Sequence, residues 1–209
     1  MKGVLLPGNK KVVVEEFPIP TPKDDEVLVK IKSSAICRSD LSLYYGNAVV
    51  QGDKAGKVIT GHEPAGIIDK VGKNVKHIKE GDKVAIYLAI GCGHCKYCYQ
   101  GTLHLCDNWE CLGFTVDGGN AEYCVIPSRN ALKVPDTMSY NEAAFSTDTF
   151  SNAPDLSLFN LNFSTELIAV NSPSICLNNW AVYSPGLSIN PVASLFWFFC
   201  VIVPFDSEY

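Results

Sequence analysis

Along the first third of the chain, apolar and polar residues alternate. Glu26-Val27-Leu28-Val29-Lys30-Ile31-Lys32 sets Val27, Val29 and Ile31 on one face and Lys30 and Lys32 on the other, which predicts a half-buried strand. Val12-Val13-Val14 is a shorter apolar run, followed by Pro18, Pro20 and Pro22, which punctuate an exposed connection. Further strands are expected at Gly66 to Val71, Lys83 to Tyr87 and Ala121 to Ile126, separated by glycines and Asp or Asn. The pattern is that of a compact, mainly β domain of barrel type with short helices, and it contains no internal repeat. Near residue 140 the period changes. Ser139-Tyr140-Asn141-Glu142 places Ser and Glu three apart, a capping box that opens a helix through Ala143 and Ala144.

Charge and composition narrow the function classes. The 209 residues carry a formal charge of -5, and the lysines are scattered without a basic run interleaved with aromatics, which argues against nucleic-acid binding. Met1-Lys2-Gly3-Val4-Leu5 does not begin a secretory signal, so the expected compartment is the cytoplasm. Nine cysteines in such a chain point to metal rather than to disulfides.

Four of those cysteines define the strongest motif. Cys92, Cys95, Cys98 and Cys106 read C-x2-C-x2-C-x7-C within one short loop, where four thiolates can turn back on a single tetrahedral ion. With every position filled by sulfur, none is left open for water or substrate, so the metal expected here is structural. Bacterial iron–sulfur ferredoxins use a shorter last gap followed by proline, so zinc is preferred over a cluster. His94 and His104 lie in the same loop and read as solvated while four thiols are available.

A second candidate joins distant residues. Cys37-Arg38-Ser39-Asp40 follows the lysine-striped strand, and Gly61-His62-Glu63-Pro64-Ala65-Gly66 precedes the next. A lone Cys or His is more often a packing or surface residue than a ligand. Here the carboxylates of Asp40 and Glu63 stand beside them, and metal-bound imidazoles usually donate their other N–H to such a group.

Together these segments resemble the catalytic domain of the zinc-containing alcohol dehydrogenases, the medium-chain dehydrogenase/reductase family. Residues 61–66 with Gly72 and Val75 fit the family pattern G-H-E-x2-G-x5-G-x2-V, the four cysteines fit its structural-zinc lobe, and Cys37 to Asp40 fit its first catalytic-zinc ligand and the residues behind it. The resemblance covers residues 1–150 and implies a GroES-like β-barrel catalytic domain with a zinc-binding lobe at about 91–111. It implies two zinc ions per chain. Cys37 and His62 would bind the catalytic one, with Glu63 beside it as a carboxylate neighbour or exchangeable ligand. Asp148 is the candidate third ligand. The resemblance further gives Asp40 the role of orienting His62, and Ser39 that of taking the substrate proton. Arg38 resembles a position that touches the cofactor's pyrophosphate, and a surface arginine capping the following helix fits it equally well. The reaction implied is oxidation of a small alcohol to an aldehyde or ketone with NAD or NADP, or its reverse. Ser42 stands where some members carry a relay histidine, so any relay ends in water.

Residues 151–209 break this pattern. The family continues into a dinucleotide-binding domain with G-x-G-x-x-G, whereas Gly186 is the only glycine here beyond position 150 and no Lys or Arg follows Lys133. The expectation is therefore a truncated dehydrogenase without its Rossmann domain, with a non-catalytic zinc-binding protein as the alternative. The apolar run from Val192 to Val203 is bracketed by Pro191 and Pro204 and falls short of the ~20 residues of a membrane helix, so no membrane partner is expected. The tail reads either as a segment packed where the cofactor domain would sit or as the product of a frameshift or unspliced intron, and the second is preferred. Homo-oligomer formation is left open.

Overall fold

The computed structural model describes residues 1–47, 54, 56–149 and 201–204, without the side chains of 148–149 and 201–204. Strands β1 (Lys2–Leu5) and β2 (Val13–Glu16) form an antiparallel hairpin with Lys2 opposite Glu16. The long strand β3 (Glu26–Ile36) is the axis of the main sheet. On one edge it pairs with β4 (Glu63–Val71), which pairs in turn with β5 (Lys83–Ile86), and β5 pairs with β9 (Ala131–Lys133). On its other edge, β8 (Tyr123–Pro127) lies against Glu26 to Lys30 and β10 (Val201–Pro204) against Ser33 to Ile36. All these pairs are antiparallel, and among the described residues the ladder ends at β9 without returning to β8 or β10.

The alternation in β3 is real but incomplete. Val27, Val29 and Ile31 are buried and belong to the main core with Ile68, Val84, Ile86 and Ile126. Leu28, on the lysine face, is equally buried at 1 % exposure, so the expected half-buried strand is covered on both faces at that point. Lys30 and Lys32 are themselves partly covered. Irregularities in the β3–β4 register at Leu28/Val29 and Ile31/Ser33 bend the pair. Gly66 sits within the bent region because a Cβ there would come 2.2 Å from the Lys30 carbonyl oxygen.

Helix α3 (Tyr140–Thr149) begins as its sequence predicts. The Ser139 N–H and hydroxyl donate to Glu142 Oε2 at 2.7 and 2.8 Å, and the Glu142 N–H donates back to Ser139 Oγ at 3.2 Å. Its buried face is Ala143 and Ala144, packed on Ala65 of β4 and Ala85 of β5. Small residues on both sides let helix and sheet approach closely. No helix among the described residues is long and apolar enough to cross a membrane. Of the segment 151–209, β10 alone is described.

Candidate metal centres

The four-cysteine lobe hangs from β6 (Ala89–Ile90), which pairs with β7 (Glu110–Cys111) and so closes the neck of the loop. Between them lie the short helix α2 (Lys96–Tyr99) and a 3-10 turn at Leu103–Leu105. Cys92, Cys95, Cys98 and Cys106 bring their sulfurs within 4.8 Å of one another. Sulfurs held at ~2.3 Å on the corners of a tetrahedron stand roughly 3.8 Å apart. The Cys92–Cys98 and Cys95–Cys98 separations are 3.8 and 3.6 Å, so the donor set fits a single tetrahedral ion. Backbone N–H groups point at the sulfurs as they would at thiolates: Cys92 N donates to Cys106 Sγ and Gly93 N to Cys98 Sγ, both at 3.3 Å.

Further backbone donors act on the acidity of Cys92. The pKa of the Cys92 thiol is lowered to about 6, most of all by the backbone N–H of His94; burial opposes this, and bonds to Cys106 and Cys95 add to the lowering. Cys124 in the core goes the other way, pushed up to about 12 by burial and by Asp117, which marks it as a packing residue. Two glycines shape the loop. A Cβ on Gly91 would lie 2.6 Å from Cys98 Sγ, and Gly93 has φ +86°. His94 and His104 are exposed and outside the sulfur cluster, with His94 Nδ1 turned 3.0 Å from the Cys92 carbonyl.

The second group forms where β3 ends and β4 begins. Cys37 is the N-cap of α1 (Arg38–Tyr45), and Asp40, one turn in, accepts from the Cys37 N–H through Oδ2 at 3.0 Å. His62 immediately precedes β4, held by Gly61 at φ +94°. A Cβ on Gly61 would meet the Asn120 N–H nitrogen at 2.4 Å, so this approach requires glycine.

The imidazole of His62 separates its neighbours by ring nitrogen. Nε2 stands 3.1 Å from Cys37 Sγ, 3.2 Å from Ser39 Oγ and 3.6 Å from Glu63 Oε1. Nδ1 faces Asp40 Oδ1 at 3.6 Å. Cys37 Sγ and Ser39 Oγ are 2.7 Å apart. Phe114 covers the ring, with centroids 4.9 Å apart. Cys37, Asp40, His62 and Glu63 are all buried, and His62 Nδ1 and Asp40 Oδ1 lack a hydrogen-bond partner. Burial, the largest single effect, opposes a charge on His62, yet the neighbouring Asp40 carboxylate and Cys37 sulfur together outweigh it and hold its pKa well above the usual histidine range. A thiol and two carboxylates thus make this pocket attractive to a cation, and a soft sulfur beside an imidazole nitrogen is a donor set suited to zinc.

The expected site residues are placed unevenly. Cys37, Ser39, Asp40, His62 and Glu63 come together, while Arg38 is exposed on α1. Asp148 lies in the last turn of α3, with its side chain outside the described residues. Sequence reasoning missed the support beneath His62. Ser34 Oγ donates to Asn120 Oδ1 at 2.7 Å and Asn120 Nδ2 donates to Thr60 Oγ1 at 3.0 Å, both buried. Gly118 and Gly119 add backbone bonds to Ile59 and Gly61 carbonyls at 2.7 and 2.8 Å. The Gly118-Gly119 pair before a strand was the available signal.

This mainly β architecture, with a thiolate lobe and a Cys–His pocket at a strand end, defines a metal-binding catalytic-domain class. The chain matches the alcohol dehydrogenase GroES-like domain over residues 23–136 and belongs to that family. It is 40 % identical over 146 residues to an alcohol dehydrogenase of Geobacillus stearothermophilus, covering 69 % of this chain and 43 % of that one. Among solved structures it is similar to galactitol-1-phosphate dehydrogenase from Escherichia coli, with 36 % identity, a TM-score of 0.61 and coverage of 69 % and 41 % of the two chains. An Escherichia coli CFT073 protein described as a short chain alcohol dehydrogenase, complexed with NADH, matches with the same four values. The chain spans less than half the length of these relatives.

Proposed function

We propose that this chain carries the catalytic half of a zinc-dependent alcohol dehydrogenase, which oxidises a small alcohol to an aldehyde or ketone with NAD or NADP. The observation that carries it is the convergence of Cys37 Sγ and His62 Nε2 beside the hydroxyl of Ser39, with Asp40 on the far ring nitrogen. In this reading Cys37 and His62 hold the catalytic zinc, Asp148 completes the set, and Cys92, Cys95, Cys98 and Cys106 hold a second, structural zinc. When bound, the catalytic zinc supplies a Lewis acid for the substrate oxygen and the nicotinamide cofactor supplies the hydride acceptor.

The chain's own residues do the rest. Asp40 fixes the His62 ring by facing Nδ1, so that Nε2 is directed toward Cys37. Ser39 Oγ, half-buried, accepts the substrate proton and passes it to water, since Ser42 on the next turn offers no imidazole. Glu63 adds negative charge behind the ligands. Arg38 projects from the first turn of α1 toward solvent, where it can meet a cofactor phosphate. Residues 1–149 contain no G-x-G-x-x-G turn, so the hydride step needs a dinucleotide-binding region beyond them.

The test is a chimera of residues 1–149 with the remainder of the Geobacillus relative, assayed for NAD-dependent oxidation of primary and secondary alcohols. Activity is expected, and Ser39→Ala should lower it by about 100-fold, within the range for losing a positioned proton carrier. A chimera that binds zinc and NAD yet oxidises none of these alcohols would sink the dehydrogenase reading and favour a non-catalytic zinc-binding protein.

A further inference from the structure

Where β5 and β9 stop pairing, two consecutive side chains continue the ladder. The backbone register runs Val84 with Lys133, Ala85 with Leu132 and Ile86 with Ala131, and it ends with the Tyr87 N–H donating to the Asn130 carbonyl at 2.9 Å. Beyond that point the chain enters the neck of the four-cysteine lobe. Asn130, fully buried, donates from Nδ2 to the carbonyls of Tyr87 and Ala89 at 2.9 and 2.8 Å. Arg129 donates from Nη2 to the carbonyl of Gly91. Three alternate carbonyls, 87, 89 and 91, are thus gripped from one 3-10 turn, Ser128–Asn130.

The last of these grips is next to the sulfurs. Gly91 precedes Cys92, and a Cβ on it would strike Cys98 Sγ. The Arg129 guanidinium also reaches Gly93, where a Cβ would lie 3.4 Å from Nη1, and the Gly93 N–H donates to Cys98 Sγ. Four thiolates around a divalent ion leave a net negative charge, which a guanidinium beside Gly91 and Gly93 offsets. Lys96 is the only other cation between Gly91 and Cys111 besides the exposed histidines, and its ammonium lies over the Tyr97 ring.

We infer that Arg129 is a positioning residue for the four-cysteine metal site: by holding the Gly91 carbonyl it fixes the entry to the metal loop and slows release of the ion. Asn130 sets the register of the same neck from within the core. The inference rests on the reading of this lobe as a zinc site.

The experiment measures zinc transfer from the full chain to a chelating dye, with the lobe's phase identified as the one absent from Cys92→Ser. Arg129→Gln should speed that phase by about tenfold, the size expected for losing a hydrogen bond from a charged donor. Arg129→Lys, which keeps charge and a donor, should restore most of the difference. Lys96→Gln, which removes a cation from the lobe without touching Gly91, should leave the rate as it was. An unchanged rate in Arg129→Gln overturns the inference while leaving the zinc reading intact, and so does an equal acceleration by Lys96→Gln, which would make net charge the cause. A wild-type chain that holds no zinc on the four cysteines overturns both.

Discussion

The two candidate metal sites are built in opposite ways. The lobe gathers four sulfurs from fifteen consecutive positions, three of them on half-exposed cysteines, and its backbone N–H groups satisfy the sulfurs locally. The pocket joins residues 25 apart in sequence, buried almost completely, and leaves His62 Nδ1 and Asp40 Oδ1 unpaired. In the proposed reading an ion holds the loop of the first site, since no side chain of α2 is buried. The second is held by the sheet whether or not an ion is bound. In the proposed reading the structural site is thus local and weakly packed, while the catalytic one is framed by the main sheet.

The sharpest way to break this comparison is to remove the lobe's metal. Cys92→Ser should lower the metal content by one ion per chain and abolish amide-exchange protection across residues 92–106, while Val27 to Ile31 in β3 stay protected. Structural zinc contributes on the order of 10 kcal/mol in isolated zinc-finger peptides, more than any other single contact here. Joint loss of protection in β3 would show that the regions are not independent.

Asp40→Asn probes the pocket with a smaller effect. It keeps the shape but removes the charge facing His62, and metal affinity there should fall roughly 10- to 100-fold in a chelator competition. The lobe's affinity should not change. Equal weakening at both sites would mean that the carboxylate acts through the fold rather than through the imidazole.

The smallest effect is expected from the α3 cap, at the opposite end of that helix from Asp148. Ser139→Ala should cost about 1 kcal/mol in denaturant unfolding and leave both metals in place. Glu142 in the same box is held below the usual glutamate range, first by the Ser139 N–H and then by the Ser139 hydroxyl. Its contribution is therefore full above the ordinary glutamate value and lost as pH falls through the lowered one. Glu142→Gln should flatten that part of the acid limb of stability, and an unaltered limb would remove the cap from the account.

What the sequence revealed followed the same division. The sulfur spacing, the cap at Ser139 and Glu142, and the Val27, Val29 and Ile31 face are local patterns, and each appears where its period or spacing placed it. The pairing of Cys37 with His62 was suggested by the carboxylates beside them and given its roles by the family resemblance, since nothing local connects the end of β3 to the start of β4. The Ser34–Asn120–Thr60 network spans 86 residues and had no pattern to betray it. Nothing in the sequence singles out Arg129 and Asn130, because their partners are backbone carbonyls, which carry no sequence signature. Alternation describes a strand with one open side and so gives no account of Leu28, which is buried on the lysine face.

Asp40 joins these themes in one side chain. Its Oδ2 closes the cap of α1 through the Cys37 N–H, and its Oδ1 faces the ring of His62. One carboxylate therefore answers to two demands, the start of a helix and the aim of an imidazole. Asn could serve the first and not the charge of the second, while Glu could close the cap, as Glu142 does for Ser139, but its extra methylene would shift the oxygen that faces His62. The position is one where mutational freedom is narrowed twice over, and a change there reads out as an altered helix and an altered site together.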